Sequence, residues 1–173
     1  MTKPNENQIN CVEKLTQLVE CYQKNLLNLC YIYLHDYAMA EDAVQETFLK
    51  AYRAMDSFRG NSQIKTWLMK IAINTCRDMR KSAWSLHVDR HVTPEDLPST
   101  VFQNSHPEAI DLANGIMQLP DKYKEVILLH YFEALSMTDI APIIGITPSM
   151  VSKRIKKARE KLHNLLGKEY LYE

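Results

Sequence analysis

The chain has 173 residues, and its 46% hydrophobic content is enough to bury one core or two small ones. Lys and Arg number 21, as do Asp and Glu, so the net charge alone gives no sign of a nucleic-acid partner. No apolar run reaches the roughly 18 residues of a membrane span, and the polar start does not resemble a signal peptide. We therefore expect a cytoplasmic protein, and the low glycine content (4 residues) favours helices over sheet.

Three amino-terminal segments have the apolar spacing of helices. The first predicts an inward face, which consists of Val12, Leu15, Val19, Tyr22, Leu26, Leu29 and Tyr33. After a break at 35–37, a second helix is predicted over about 38–55, with Ala40, Val44, Phe48 (or Thr47), Ala51 and Met55 inward. A polar loop at 56–62 leads to a third helix over about 64–82, with Trp67, Leu68, Ile71, Ala72, Thr75 and Met79 on one side.

The four cysteines have no metal-ligand spacing. Cys11, Cys21, Cys30 and Cys76 fall mostly at apolar helical positions and form no CxxC pair. We interpret them as buried thiols and expect neither disulfides nor a zinc site.

A change of composition separates the two halves of the chain. Residues 85–107 carry three prolines and no sustained periodicity, which predicts a flexible linker. Acidic residues predominate in and beside it: Asp89, Glu95, Asp96 and Glu108 against Arg90. His87 and His91 also lie in this stretch, and we interpret them as chance histidines because no further metal ligand accompanies them. Two helices are then predicted, over about 108–118 and 121–132.

Residues 136–166 have the local signals of a helix-turn-helix. Ser136 and Asp139 fit a capping box, Gly145 can turn the chain with positive φ, and Thr147-Pro148 can restart a helix. The second helix is expected to bury Val151, Ile155, Ala158, Leu162 and Leu165 or Leu166. Its other faces are basic, and such a helix after a three-residue turn has the geometry that enters a major groove. The alternative is an amphipathic surface helix with a solvated basic face, which the caps and the turn make less favoured.

Positive charge is concentrated in two segments, although the chain as a whole has no net charge. Lys50–Lys81 contains Lys50, Arg53, Arg59, Lys65, Lys70, Arg77, Arg80 and Lys81, against Asp56 and Asp78. Thr147–Lys168 contains Lys153, Arg154, Lys156, Lys157, Arg159, Lys161 and Lys168, against Glu160. The charge pattern therefore predicts two basic surfaces joined by an acidic stretch.

Two blocks of sequence resemble a known family. The stretch from Leu119-Pro-Asp-Lys-Tyr through Asp139-Ile-Ala to Val151-Ser-Lys-Arg-Ile-Lys-Lys-Ala-Arg-Glu-Lys-Leu162 resembles region 4 of extracytoplasmic-function sigma factors. The stretches Ala40-Glu-Asp-Ala-Val-Gln-Glu-Thr-Phe48, Phe58-Arg-Gly and Lys65-Thr-Trp-Leu-Met-Lys-Ile-Ala-Ile-Asn74 resemble region 2. Both blocks in the family's order are a specific signal, whereas a helix-turn-helix alone is not.

The resemblance implies a bacterial alternative sigma factor, with no enzymatic activity, cofactor or small-molecule substrate. Its partners would be core RNA polymerase, promoter DNA as duplex and as melted non-template strand, and an anti-sigma protein, which is commonly membrane-anchored in this family. Region 2 would bind the clamp helices of the largest polymerase subunit and the minus-ten element. Region 4 would bind the minus-thirty-five element and the polymerase flap.

The resemblance and the chemistry of the residues together give candidate sites. For core polymerase these are Asp42, Gln45 and Glu46. The alternative interpretation of these three residues is an ordinary solvated helix surface. For the minus-ten strand they are Arg59, Asn61, Ser62, Lys65, Lys70, Asn74, Arg77, Arg80 and Lys81, because cations beside a polar loop suit single-strand capture. For the minus-thirty-five duplex they are Ser149, Ser152, Lys153, Arg154, Lys156, Lys157 and Arg159.

Several alternatives stay open at this level. Trp67 is expected in the core in preference to stacking on a base, and Trp84 is undecided at a helix end. The acidic linker would be either a plain tether or an occupant of the channel built for RNA. Pro142 predicts a shortened or kinked first helix of the motif. Ser149-Met150 and Ser152-Lys153 depart from frequent family residues, so base contacts are not carried over.

The predicted fold is all-α, with two small helical domains joined by a flexible acidic linker, the second containing the helix-turn-helix. The domains are predicted at 9–84 and 108–170, with the linker at 85–107. The competing interpretation is a two-domain helix-turn-helix transcriptional regulator whose amino-terminal domain senses a ligand or dimerises.

Overall fold

The computed structural model describes residues 6–60, 62–85 and 107–167, and all regular elements in these ranges are helical. The amino-terminal half (6–85) consists of α1 (Glu6–Leu34), α2 (Tyr37–Ala54), a 3-10 turn (Met55–Ser57) and α3 (Ile64–Ser85). The carboxy-terminal half (107–167) consists of α4 (Pro107–Met117), α5 (Asp121–Ile127), a π-helical turn (Leu128–Phe132), α6 (Met137–Ile144) and α7 (Pro148–Leu166). The predicted all-α fold is confirmed.

Most of the predicted linker, residues 86–106, lies outside the described residues, together with Asp89, Glu95, Asp96, His87 and His91. In the part of the chain that is described, no helix combines the length and apolarity needed to cross a membrane.

The break between α1 and α2 is made by two residues. His35 has a left-handed φ of 61°, and Asp36 caps α2 by accepting a hydrogen bond from the Met39 amide at 2.8 Å. The chain therefore reverses, α1 packs along α2 as an antiparallel pair, and α3 contacts both helices. The five residues predicted inward on α2 (Ala40, Val44, Phe48, Ala51, Met55) are all buried, and so is Thr47.

Two predictions of burial in α1 are wrong. Val12 is 51% exposed, because α1 has 29 residues and α2 only 18, so the first turns of α1 have less of the bundle to pack against. Cys21 is also exposed, whereas Cys11 is half-buried and Cys30 and Cys76 are buried. All four are free thiols, and the Cys30 and Cys76 sulfurs lie 3.5 Å apart between α1 and α3.

The helix-turn-helix forms as its local signals predict. Ser136 and Asp139 form the capping box, Gly145 adopts φ 76°, and the Thr147 hydroxyl accepts from the Met150 amide. Val151, Ile155, Ala158 and Leu162 bury the inner face of α7, and Leu166 is partly buried where Leu165 is exposed.

Pro142 does not shorten α6. The helix includes it and ends two residues later at Ile144, with Gly145 as the C-cap. Pro142 is exposed and in the second turn, so its missing N–H leaves unpaired only the carbonyl four residues earlier, which water can reach. A bend at this position stays a prediction.

From Tyr123 onward α5 is enclosed on all sides, which the sequence did not indicate. Every residue from Tyr123 to Leu129 is buried, although a surface helix normally keeps one polar face in water. α7 and α4 cover one side of α5, and α1 contacts the other. Within the carboxy-terminal half, α5 is therefore a helix that packs against the amino-terminal half. The buried apolar side chains of the two halves accordingly form one continuous cluster.

Two polar contacts join the end of α1 to α5. The Tyr33 hydroxyl donates to Glu125 Oε1 at 2.9 Å, and Lys124 Nζ lies 2.8 Å from His35 Nε2. An ammonium group has only donors, so Nε2 must be the acceptor and the imidazole must be neutral. Burial and the neighbouring Lys124 and Arg80 charges agree with this, because they lower the pKa of His35 to about 4. Burial also lowers the pKa of Lys124 to about 8.

Gly145→Ala should lower the free energy of unfolding by about 1 kcal/mol, the cost of placing a Cβ in a left-handed backbone. No neighbouring atom lies within 4 Å of a Cβ at this position, so backbone strain is the whole effect. Urea denaturation followed by circular dichroism measures it. Gly145→Asn is the control and should lose less, because asparagine tolerates this conformation. Equal stability of Gly145→Ala and wild type would contradict the account.

Stability should fall in acid through His35, whose pKa is lowered from 6.5 to about 4 in the folded chain. Above pH 6.5 the imidazole is neutral in both the folded and the unfolded chain, and its contribution to the free energy of unfolding is fully present. As the pH falls towards the lower value, the unfolded chain takes up about one proton that the folded chain resists, so the free energy of unfolding decreases. His35→Asn, which keeps the left-handed turn, should weaken this dependence. Identical pH profiles for the two proteins would refute the assignment.

Candidate nucleic-acid interface

α7 presents the first candidate interface. The helix begins after the Thr147 N-cap. All but one of the candidate residues on it are exposed: Ser149, Ser152, Lys153, Lys156, Lys157 and Arg159. The exception is Arg154, which is half-buried. Val151, Ile155 and Ala158 bury the opposite face, which fixes the rotation of the helix about its axis. The candidate residues therefore lie together on the outer surface, as duplex docking requires.

The basic face of α7 continues onto α5. A surface groove is lined by Met150, Lys153, Arg154, Lys156, Lys157 and Glu160 of α7 together with two residues from outside the motif, Lys122 and Tyr123. Lys122 and Lys161 both place their ammonium groups over the Tyr123 ring, at 5.1 and 5.8 Å from its centroid. Lys122 is thus a basic residue of this surface that the helix-turn-helix pattern did not include.

α2 presents a second, acidic and amide surface. Asp42 and Gln45 are exposed, and Glu46 is half-exposed, 3.8 Å from Lys50. Gln45 also borders an apolar groove between α1 and α2 that is lined by Leu15, Val19, Val44, Phe48 and Leu49. A polar rim beside exposed apolar side chains is the composition of a protein-binding surface.

The loop before α3 and the outer face of α3 carry the third surface. Arg59, Ser62, Lys70, Asn74 and Lys81 are exposed there, whereas Asn61 lies outside the described residues. Trp67 packs against Phe58 at a ring-centroid distance of 5.0 Å and is partly buried, which supports its predicted place in the core. Trp84 lies in α3, but its side chain is outside the described part of the chain.

Three candidate cations of α3 contact the carboxy-terminal half. Arg77 donates from Nε and Nη2 to the two carboxylate oxygens of Glu125, each at 2.7 Å. Arg80 donates to Asp121 Oδ1 at 2.6 Å and to the Tyr33 carbonyl at 3.1 Å. Lys65 donates to the Glu133 carbonyl at 2.6 Å and lies 3.1 Å from its carboxylate. We call Asp121, Glu125 and Glu133 the acidic face.

The two arginine ion pairs differ in strength. Arg80 and Asp121 are 42% and 43% exposed, so this pair contributes at most about 1 kcal/mol. Glu125 is only 4% exposed and has both oxygens bonded, so removal of Arg77 would strand a buried charge at a cost of about 3 kcal/mol or more. The paired Glu125 in turn raises the pKa of Arg77, and burial raises the pKa of Tyr33. The Arg77–Glu125 pair is therefore the main polar link between the halves.

The acidic face was not identified from the sequence. Asp121 and Glu125 lie in the helix predicted over about 121–132, and Glu133 follows it, but no role was assigned to any of the three. The available signal was the position of Lys124 and Glu125 between Tyr123 and the apolar run Val126–Leu129, because charges next to buried apolar residues require specific partners.

Comparisons with known proteins agree with this geometry. Residues 18–86 match the family model described as Sigma-70 region 2, and residues 110–162 match Sigma-70, region 4. Among solved structures, the sigma factor RpoE of Bartonella quintana, determined in complex with the anti-sigma factor NepR, is similar with a TM-score of 0.77 and 25% identity. The match covers 91% of this chain and 99% of that one. CnrH, in complex with the cytosolic domain of CnrY, shares the fold with a TM-score of 0.67 at 23% identity.

Relatives of established function are similar along most of their length. The RNA polymerase sigma-H factor of Pseudomonas aeruginosa is 36% identical over 164 residues, which cover 86% of this chain and 84% of that protein. The extracytoplasmic-function (ECF) sigma factor SigW of Bacillus subtilis is 34% identical over 167 residues, with 89% of each chain covered. Both regions, their order and these relatives agree with the resemblance, and the chain belongs to the extracytoplasmic-function family of RNA polymerase sigma factors.

Proposed function

We propose that this sigma factor uses its three surfaces in one initiation complex. Asp42, Gln45 and Glu46 bind the clamp helices of core RNA polymerase. The α3 surface (Arg59, Asn61, Ser62, Lys65, Lys70, Asn74, Arg77, Arg80 and Lys81) captures the melted non-template strand of the minus-ten element. The α7 surface (Ser149, Ser152, Lys153, Arg154, Lys156, Lys157 and Arg159) docks on the minus-thirty-five duplex.

The observation that carries this proposal is the separation of charge by helix. The basic residues on α3 and α7 suit two anionic DNA elements, while the carboxylates and amide on α2 suit a basic protein surface. Exposed Leu49 and the groove beside Gln45 add the apolar area that a stable protein interface needs. A ligand-sensing or dimerising amino-terminal domain would need neither surface, so the regulator alternative is not favoured.

Two properties of the chain belong to the same proposal. It acts in the cytoplasm, where core polymerase and promoter DNA are found, and it performs no chemistry of its own. Because RpoE of Bartonella quintana binds an anti-sigma factor, we also propose an anti-sigma partner, which would be membrane-anchored as is common in the family.

Reversal of charge on α2 tests the polymerase surface. Asp42→Lys with Glu46→Lys should weaken co-purification with core polymerase by more than about tenfold, because two favourable contacts become like-charge contacts. Glu13→Lys with Glu20→Lys makes the same charge change at exposed positions of α1 and should have little effect. Circular dichroism confirms that both variants fold. Equal recovery of the α2 variant and wild type would remove this surface from the proposal.

Removal of charge from α7 tests the duplex surface. Lys153→Ala with Lys156→Ala should make the dependence of holoenzyme binding on salt less steep by about 1.8 on a log–log plot, since each phosphate contact contributes roughly 0.9. The measurement is a salt titration on a promoter fragment. Lys14→Ala with Lys24→Ala, both exposed on α1, is the matched control. An unchanged slope for the α7 variant would show that these lysines do not contact phosphates.

A further inference from the structure

Part of the proposed strand-binding surface is already occupied by the protein itself. Lys65, Arg77 and Arg80 all contact the acidic face, whereas Arg59, Lys70, Asn74 and Lys81 on the same half are exposed to solvent. Lys65 lies in the first turn of α3 and Arg77 and Arg80 lie in its second half, and their partners come from the start of α5, its middle and the residue after the π-helical turn. The acidic face therefore matches the cations in number and in spacing.

The chemistry of these contacts is that of phosphate binding. An arginine fork accepts a carboxylate or a phosphate in the same bidentate geometry. Arg77 uses Nε and Nη2 on Glu125, so the same edge of the guanidinium is not available to a DNA phosphate at the same time. Lys65 is likewise directed at the Glu133 carbonyl and carboxylate. A strand that binds all of the α3 surface must displace the carboxy-terminal half.

We propose that the acidic face is an intramolecular competitor for the non-template strand, so that the isolated chain is closed and binds single-stranded DNA with the whole α3 surface only when α3 and α5 separate. The proposal rests on the strand-binding role of α3 given above. It assigns to Asp121, Glu125 and Glu133 a regulatory contact that is made within the chain and requires no second protein.

The closed arrangement combines stabilising and destabilising contacts, which makes it reversible. Tyr33 and Arg77 satisfy the buried carboxylate of Glu125. Lys124, in contrast, is fully buried, and its ammonium group donates to a neutral imidazole, which does not offset its charge. Separation of the halves would return Lys124 to water. A partner or DNA that engages the freed cations then has less of the closed state's stability to overcome.

The test compares wild type with Asp121→Asn plus Glu125→Gln, two nearly isosteric changes outside the proposed DNA and polymerase surfaces. The full-length chain without polymerase is titrated into a fluorescent single-stranded oligonucleotide at low salt, and its radius of gyration is measured by small-angle X-ray scattering. The variant should bind about tenfold more tightly and have a larger radius of gyration. Asp111→Asn plus Glu20→Gln removes two exposed carboxylates elsewhere and controls for net charge.

Two results would overturn the proposal. One is a wild-type radius of gyration equal to that of the double variant, and the other is an equal gain in binding by the control. Arg77→Glu combined with Glu125→Arg rebuilds the pair in reverse and should restore the compact scattering; continued expansion would also count against the proposal.

Failure of the underlying strand-binding role has a different signature. An expanded double variant that binds the oligonucleotide no better than wild type would show closure without competition, and would remove the α3 surface from the proposed function as well.

Discussion

Arg77 donates two hydrogen bonds of 2.7 Å to Glu125, and this contact joins the amino-terminal and carboxy-terminal halves of the chain. Glu125 is almost fully buried, so it depends on Arg77 and Tyr33 for all of its compensation. Because α5 carries Glu125 on one side and packs on α7 on the other, the same contact places the helix-turn-helix relative to α1 and α3. The relative position of the two proposed nucleic-acid surfaces therefore follows from one buried ion pair and the apolar cluster around it.

This constraint connects stability to function. The apolar cluster is continuous across the halves and favours their association, but it does not specify their relative orientation. The ion pairs specify which surfaces meet. The cations they use belong to the surface proposed for single-stranded DNA. Charge on α3 therefore has two possible partners with the same geometry, a carboxylate within the chain and a phosphate in the promoter. The α2 and α7 surfaces face solvent in this arrangement, and polymerase and duplex DNA can approach them without displacing the carboxy-terminal half.

Local signals predicted much of the fold and little of the arrangement of its halves. The capping box at Ser136, the left-handed Gly145 and the Thr147 cap each act within one or two turns of chain, so the sequence alone indicates them. The inward face of α2 followed from apolar spacing for the same reason. Val12 and Cys21 were predicted wrongly because burial in α1 depends on how far its neighbours extend, which spacing does not encode. Glu125 and Lys124 were missed because their partners Arg77 and His35 are distant in sequence and come together only in the tertiary structure.

Run-off transcription with purified core RNA polymerase and a library of promoter fragments tests the central claim most directly. A protein that binds core through α2, holds a melted strand on α3 and docks α7 on duplex DNA must confer initiation at a defined subset of those promoters. We expect transcripts that depend on both the protein and core polymerase, with start sites at a fixed distance from a shared upstream element. Binding to duplex DNA without core, and no transcript from any fragment, would contradict the account.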